Sequence, residues 1–374
     1  MVGTVWGEDE MISRRHFLEG AVAAGALAAL PSVAGAQEGF SLAGKTVEWT
    51  IPFGEGGGND AWARFFAHYL GKYLPGNPNV IVRNVPGGGS ITGTNSFAQR
   101  APNDGLSLLG VSGSTQFPYL LGDKRVQYDY RDFTPVLVSP TGGVVYIPAS
   151  FGVKDVTELP KLFDRELVLA NTGPTSLDLV LMLGFEMIGL KVRHVFGMSS
   201  RGETRLAFER GEATVDYQTS SSYLANIVPL VEAGTAVPLF TLGALDENAN
   251  IVRDPTFPDL PHFLEAYEMV HGKAPEDGPE LKAFVAFFSA GFPAQKMAML
   301  HNTNPPEVIE AYRTAFAKAV ADPELQERKG DILGDYTQAT GEAADALFEV
   351  ATTIDEEAKT WVQNYLRERH SVQL

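Results

Sequence analysis

The sequence of 374 residues contains no cysteine. Disulfides, thiolate metal sites and cysteine nucleophiles are thereby excluded, and packing alone must hold the fold; the absence also suits an oxidising compartment, where a stray thiol is a liability. Basic charge is scarce, with 29 Lys and Arg against 46 Asp and Glu, a net charge of −17. That balance argues against nucleic acid or an anionic lipid surface as a partner. The 7 His are scattered without i, i+3 or i+4 pairing, so no metal site is expected. No internal repeat, low-complexity tract or heptad run is visible, and beyond residue 36 no apolar run is long enough to span a bilayer.

What is present begins at the N-terminus. Ser13-Arg14-Arg15-His16-Phe17-Leu18 precedes an Ala/Leu-rich run over 21–30 and the small triplet Ala34-Gly35-Ala36. An arginine pair, a short apolar stretch and a cleavage site in that order read as a twin-arginine signal peptide over 1–36. The destination is the periplasm, and these residues take no part in the fold. The rest of the chain is long enough for two globular units.

Residues 46–53 (TVEWTIPF) read as a strand that runs into the glycine loop Gly54-Glu55-Gly56-Gly57-Gly58-Asn59-Asp60. Trp62, Phe65, Phe66, Tyr69, Leu70 and Tyr73 then recur at helical spacing, with Asn59 or Asp60 as the expected cap. A strand over 80–85, a second glycine loop at Pro86-Gly87-Gly88-Gly89, a helix near 92–100 and a strand over 106–111 continue the alternation that builds a parallel sheet. Strands at 143–147, 167–170, 192–195, 213–217 and 237–242 frame a second unit, with an all-apolar helix over 177–188 and Gly189 as its C-cap. Residues 246–280 read as loop with one short helix. Long amphipathic helices over 306–321 and 340–366 close the chain, and no element is assigned between them and residue 280. The second of these helices carries Leu347, Val350, Ala351, Ile354, Ala358, Trp361 and Tyr365 on one face. The expected fold class is α/β: two doubly wound domains joined by crossover strands, with 40–141 plus 243–374 forming domain 1 and 142–242 forming domain 2.

A glycine loop beyond the carboxyl end of a strand, opening a helix, presents converging backbone N–H groups and the positive end of the helix dipole. Gly56, Gly57, Gly58, Asn59 and Asp60, with Phe53 beside them, can hold a carboxylate or phosphate without a cationic side chain. Thr172, Gly173, Thr175 and Ser176 repeat the device in the second unit. Glycines that serve only the turn are the plainer alternative for either loop. A dinucleotide site is a sharper one, because Gly54-x-Gly56-x-x-Asn59 partly matches the fingerprint; it lacks the third glycine, and no acid follows the next strand. Ser112, Ser114 and Thr115 lie in a small polar loop without a triad pattern and are expected to donate to the far end of a ligand. Asp216 is either a cleft carboxylate or a cap at a strand edge.

Ile51-Pro52-Phe53-Gly54-Glu55-Gly56-Gly57-Gly58-Asn59-Asp60 resembles the V-P-F-x-x-G-G-G-[ST]-D loop of the Bug family, the substrate-binding proteins of tripartite tricarboxylate transporters. Asn84-Val85-Pro86-Gly87-Gly88-Gly89, Ala101-Pro102-Asn103-Asp104-Gly105, Gly211-Glu212-Ala213-Thr214-Val215-Asp216 and Phe257-Pro258-Asp259-Leu260-Pro261 follow in the family's order. The resemblance implies a type II, Venus-flytrap periplasmic binding protein with no enzymatic activity and no cofactor. It implies that the two loops grip a ligand carboxylate through backbone amides and bridging waters. A monomer is expected, which would hand its ligand to membrane permease subunits. A secreted, cofactor-dependent oxidoreductase exported folded and a receptor for a signalling partner are the alternatives. Two departures from the family pattern matter. Glu55 stands where Pro is usual and would repel an anion unless it points outward or pairs with a cation. Met198-Ser199-Ser200-Arg201-Gly202 replaces a glycine-rich stretch, so that Arg201 either supplies positive charge or faces solvent.

Overall fold

The structure, a computed structural model, describes residues 40–246 and 249–374. The signal segment read from the sequence at 1–36 lies outside the described residues. Strand and helix alternate from residue 46 as the sequence predicts: β1 (Thr46–Ile51), α1 (Gly58–Tyr73), β2 (Asn79–Asn84), α2 (Ile91–Arg100) and β3 (Ser107–Ser112). β1 pairs in parallel with both β2 and β3. Trp62, Phe65, Phe66, Tyr69 and Leu70 of α1 are buried, and Trp62 meets Trp49 of β1 edge to face with 5.1 Å between ring centroids. A large apolar side chain buried this way contributes about 1.5–3 kcal/mol, so this stripe fixes α1 on the sheet. The expected cap is corrected: Gly57 is the N-cap and has no side chain to offer. Asp60 sits inside the first turn, where its Oδ2 accepts from the Gly56 amide at 3.0 Å.

After α3 (Gly113–Leu121) and β4 (Phe133–Ser139) the chain crosses at 140–142 into β5 (Gly143–Pro148). There follow β6 (Leu167–Asn171), α4 (Asp178–Ile188), β7 (Val192–Phe196), α5 (Arg201–Glu209), β8 (Asp216–Thr219), α6 (Ser220–Asn226), α7 (Val228–Glu232) and β9 (Ala236–Thr241). The return path carries β10 (Ala244–Leu245), β11 (Ile251–Val252), α8 (Phe263–His271), α9 (Pro279–Gly291) and β12 (Lys296–His301). It ends in α10 (Pro306–Val320), α11 (Pro323–Arg328), α12 (Gly341–Ala351) and α13 (Glu356–His370). The strands form a sheet of order β2-β1-β3-β12-β4, a second of order β8-β5-β9 and a parallel pair β6-β7. β12 and β5 run antiparallel to their neighbours, so neither larger sheet is wholly parallel.

Several elements have no counterpart in the sequence reading, among them α3, β4, α6, α7, α9, α11 and β12. α9 is apolar on most sides, with Ala283, Phe284, Phe287 and Phe288 buried, and β12 holds four apolar residues between Lys296 and His301; periodicity cannot type short runs of this kind. The helix expected over 340–366 is corrected to two, α12 and α13. Asp355 caps the second by accepting from the Ala358 amide at 2.9 Å, and the β-branched Thr352 and Thr353 before it favour the break. The core joins the two sheets: Phe117 of α3 packs edge-on against Phe287 of α9 at 5.0 Å, in one apolar cluster with Leu181 and Phe185 of α4 and Leu366 of α13.

At the crossover, fully buried Asp254 accepts from the Tyr336 hydroxyl and, at 2.9 Å, from the Thr256 amide. Ser220 Oγ lies 3.0 Å from the same hydroxyl. Burial pushes the Asp254 carboxyl up to about 6, against about 4 in an unfolded chain. With the folded value the higher one, the contribution to stability is complete below about pH 4 and is lost as pH rises through about 6. Asp254→Asn is expected to remove that part of the fall in urea midpoint between those limits. An unchanged fall contradicts the assignment.

Candidate ligand-binding site

Three helix starts converge between the sheets. α1 begins at Gly58 after its glycine loop, α3 at Gly113 with Ser112 as N-cap, and α5 at Arg201 with Ser200 as N-cap. The approach is close because the residues are small. Gly54 N donates to Ser199 O at 3.0 Å, and a Cβ on Gly202 would stand 2.8 Å from the Gly56 carbonyl oxygen. The loop that partly matches a dinucleotide fingerprint is thus packed against 199–202.

These starts enclose a cavity of about 30 Å³, roughly the volume of one or two waters. Of the residues singled out from sequence, Phe53, Gly57, Gly58, Asn59, Asp60, Ser112, Ser114 and Thr172 line it. Leu177, Ser200, Arg201, Thr219 and Gln295 complete the wall. Gly173, Thr175 and Ser176 instead line a neighbouring cavity of about 450 Å³ with Gly87–Gly89 and Arg125; Thr172 belongs to both. Gly56 turns away with φ +76. Thr115 is fully buried, and its hydroxyl turns back to accept from the Ser112 amide at 3.4 Å.

The donors of the second loop are largely spent. Thr172 N donates to Asp178 Oδ2 at 2.7 Å, Ser176 N to Gly173 O, and Leu177 N to Ser114 Oγ at 3.0 Å. In α1 the first-turn N–H groups of Gly58, Asn59 and Asp60 have no acceptor within the helix. The Asn59 side chain, 8% exposed, leaves both its amide nitrogen and its oxygen without a partner.

Arg201 does not face solvent, which corrects one of the two readings of it. Its side chain is 10% exposed, donates to Ala170 O at 3.2 Å and to Asp178 Oδ1 at 3.3 Å, and pairs with Asp216. The guanidinium lies 4.0 Å from the centre of the Tyr217 ring, and the Tyr217 hydroxyl donates to Asp178 at 2.7 Å. Asp216 is fully buried; it also accepts from Tyr146 and, at 2.9 Å, from Gln218, and it stands behind Arg201 rather than on the cavity wall. Burial pushes its carboxyl up against the pull of Arg201. Glu55 meets both conditions that spare an anion: its side chain is 79% exposed and lies 3.9 Å from Arg64.

The sequence reading missed Thr219 and Gln295 on this wall, and Ser221 and Lys296, which lie next to Gly58. A lysine inside the apolar run Ala294 to Leu300 was the available signal for the last. No group of three or more His, Cys, Asp or Glu suited to a metal occurs among the described residues.

Comparison with known proteins agrees with this architecture. A family model for the TAT (twin-arginine translocation) pathway signal sequence matches residues 11–31, so the chain carries an export signal. The structure superposes on the periplasmic binding protein BugD with a TM-score of 0.66 at 20% identity, covering 87% of this chain and 97% of that one. It superposes on MatC from Rhodopseudomonas palustris with bound malate at a TM-score of 0.62 and 20% identity, covering 85% and 98%. The fold is that of the periplasmic binding proteins, and the protein is an exported, periplasmic one. In sequence, it is 27% identical over 322 residues to the UPF0065 protein in the tcbD-tcbE intergenic region of Pseudomonas sp. (strain P51), covering 84% of each chain. The likeness to BugD bears out, at the level of the fold, the resemblance to the Bug family read from the sequence.

Replacing Arg201 with Met leaves two buried carboxylates without their cation, a change that costs about 3–5 kcal/mol in comparable sites. A loss of that size is expected in urea unfolding of Arg201→Met. A loss under about 1 kcal/mol would show that the triad does not hold α4, β8 and α5 together.

Proposed function

We propose that this protein is an extracytoplasmic solute-binding protein that captures a small organic carboxylate and passes it to the membrane permease subunits of a tripartite tricarboxylate-type transporter. The observation that carries the reading is the buried start of α1, where first-turn amides and the Asn59 side chain line a small cavity with no acceptor of their own. A carboxylate is a small anion that satisfies several converging N–H donors at once. MatC, which shares the fold, is described with bound malate, and malate is a first candidate here.

The two lobes of this proposal are 40–141 with 243–374, and 142–242. Strand membership supports it, since β1 to β4 and β12 share one sheet while β5, β8 and β9 share the other. The described state is closed, with Gly54 bonded to Ser199 and Leu177 to Ser114 across the cavity. A cavity of about 30 Å³ cannot receive malate from outside, so the lobes must part for loading. Transport is a binding and release cycle, and no catalytic step enters it.

Malate at about one hundred times its Kd is expected to stabilise the protein by about 2.7 kcal/mol, read as a rise in thermal midpoint. In Gly57→Val that rise should vanish while the ligand-free midpoint holds. A Cβ at Gly57 stands 3.3 Å from Ser200 Cβ, and the longer side chain keeps the loop and α5 apart. Undiminished stabilisation of the variant by malate would count against the loop as the site.

A further inference from the structure

Lys296 opens β12, opposite Ser112 of β3 on one side and Ser139 of β4 on the other. Residues directly opposed in antiparallel strands share a face of the sheet. Ser139 Oγ accepts from the indole of Trp62 at 2.8 Å, so this face lies under the first turns of α1. Lys296 Cε is 3.8 Å from the point where a Cβ on Gly58 would stand, and Ser221 Oγ is 3.1 Å from that point.

Lys296 is 2% exposed, and no neighbouring charge acts on it; burial alone pushes its ammonium down to about 7. The acids nearby are committed elsewhere. Asp60 serves Gly56, Arg64 and Asn84, while Asp178 and Asp216 hold Arg201. Around the same helix start, both ends of the Asn59 amide, Ser221 Oγ and Gln295 Oε1 lack partners, and the three residues are 8%, 4% and 4% exposed. An unsatisfied buried polar group is costly, and folded proteins leave few of them. The donors among them, Asn59 Nδ2 and the Ser221 hydroxyl, lie beside one uncompensated cation and one set of open helix amides, a combination that suits an anion.

We propose that Lys296 is the cationic anchor of the binding site: a ligand carboxylate seated on the first turn of α1 accepts from Asn59 and is neutralised by the Lys296 ammonium beneath it. The inference rests on the carboxylate-binding reading above and adds to it a side-chain charge. It makes the site selective for the ionised carboxylate over an amide or ester of the same shape, because a neutral group leaves the buried cation uncompensated. It also ties binding to proton uptake, since an anion placed against the amine favours its protonated form.

The test is titration calorimetry with malate, succinate and adipate at about pH 8, in phosphate and in Tris, whose ionisation heats differ. The wild-type protein is expected to bind one of these acids with a buffer-dependent heat that reports uptake of a proton. Lys296→Met, a substitution of matching length, is expected to weaken that acid about thirtyfold or more and to abolish the buffer dependence. Ser221→Asp supplies an internal carboxylate beside Lys296, so it is expected to abolish binding while the ligand-free protein becomes no less stable. Binding by Lys296→Met at wild-type affinity, or unimpaired binding by Ser221→Asp, overturns the anchor and leaves the solute-binding function standing. Failure of all three acids to bind the wild-type protein removes the carboxylate reading and the anchor with it.

Discussion

Backbone meets backbone where the two sheets face each other, and the rest of the site depends on that approach. Gly202 at the start of α5 has no room for a Cβ against the carbonyl of Gly56, and Gly54 bonds directly to the main chain of Ser199. Three helix starts are thereby drawn around a space of about 30 Å³. Helix starts bring N–H donors and partial positive charge, and burying them together is tolerable only if something accepts what they offer.

Two cations buried among the described residues, Arg201 and Lys296, are treated in opposite ways. Arg201 is matched by Asp178, Asp216 and a tyrosine face, so it is a structural post that joins α5 to β8 and α4. Lys296 has no such match among the described residues. No carboxylate acts on it, and burial alone governs its protonation. A fixed ion pair keeps the wall rigid, whereas an uncompensated ammonium makes part of the closed state's stability conditional on an incoming anion. That division gives a physical meaning to closure: ligand supplies what the protein withholds.

Much of the fold was legible in sequence because its signals are local. The stripe from Trp62 to Leu70 and the αL glycine at Gly189 need only nearest neighbours to be read. The glycine loop at 54–58 was legible as a helix-opening anion device, and Phe53, Asn59, Ser112 and Thr172 are indeed brought to one wall. What escaped was long-range. Thr172 to Ser176 look as open as the first loop on paper, yet Asp178 takes the Thr172 amide from six residues on and Gly173 O takes that of Ser176, while Ser114 from another helix takes the Leu177 amide that follows. β12 joins β3 only after the chain has traversed the second sheet and α9, so neither the strand nor the lysine at its start could be placed from local pattern. Arg201 looked like a surface residue because its two acids lie 15 and 23 positions away in sequence.

The central claim is that the start of α1 receives the ligand's carboxylate. A crystal structure with malate tests it directly. The account predicts one malate carboxylate within about 3 Å of the amides of Gly58 and Asn59, closed beneath Ser200. Malate seated instead in the larger cavity beside Gly87–Gly89 and Arg125, with the start of α1 untouched, would contradict it.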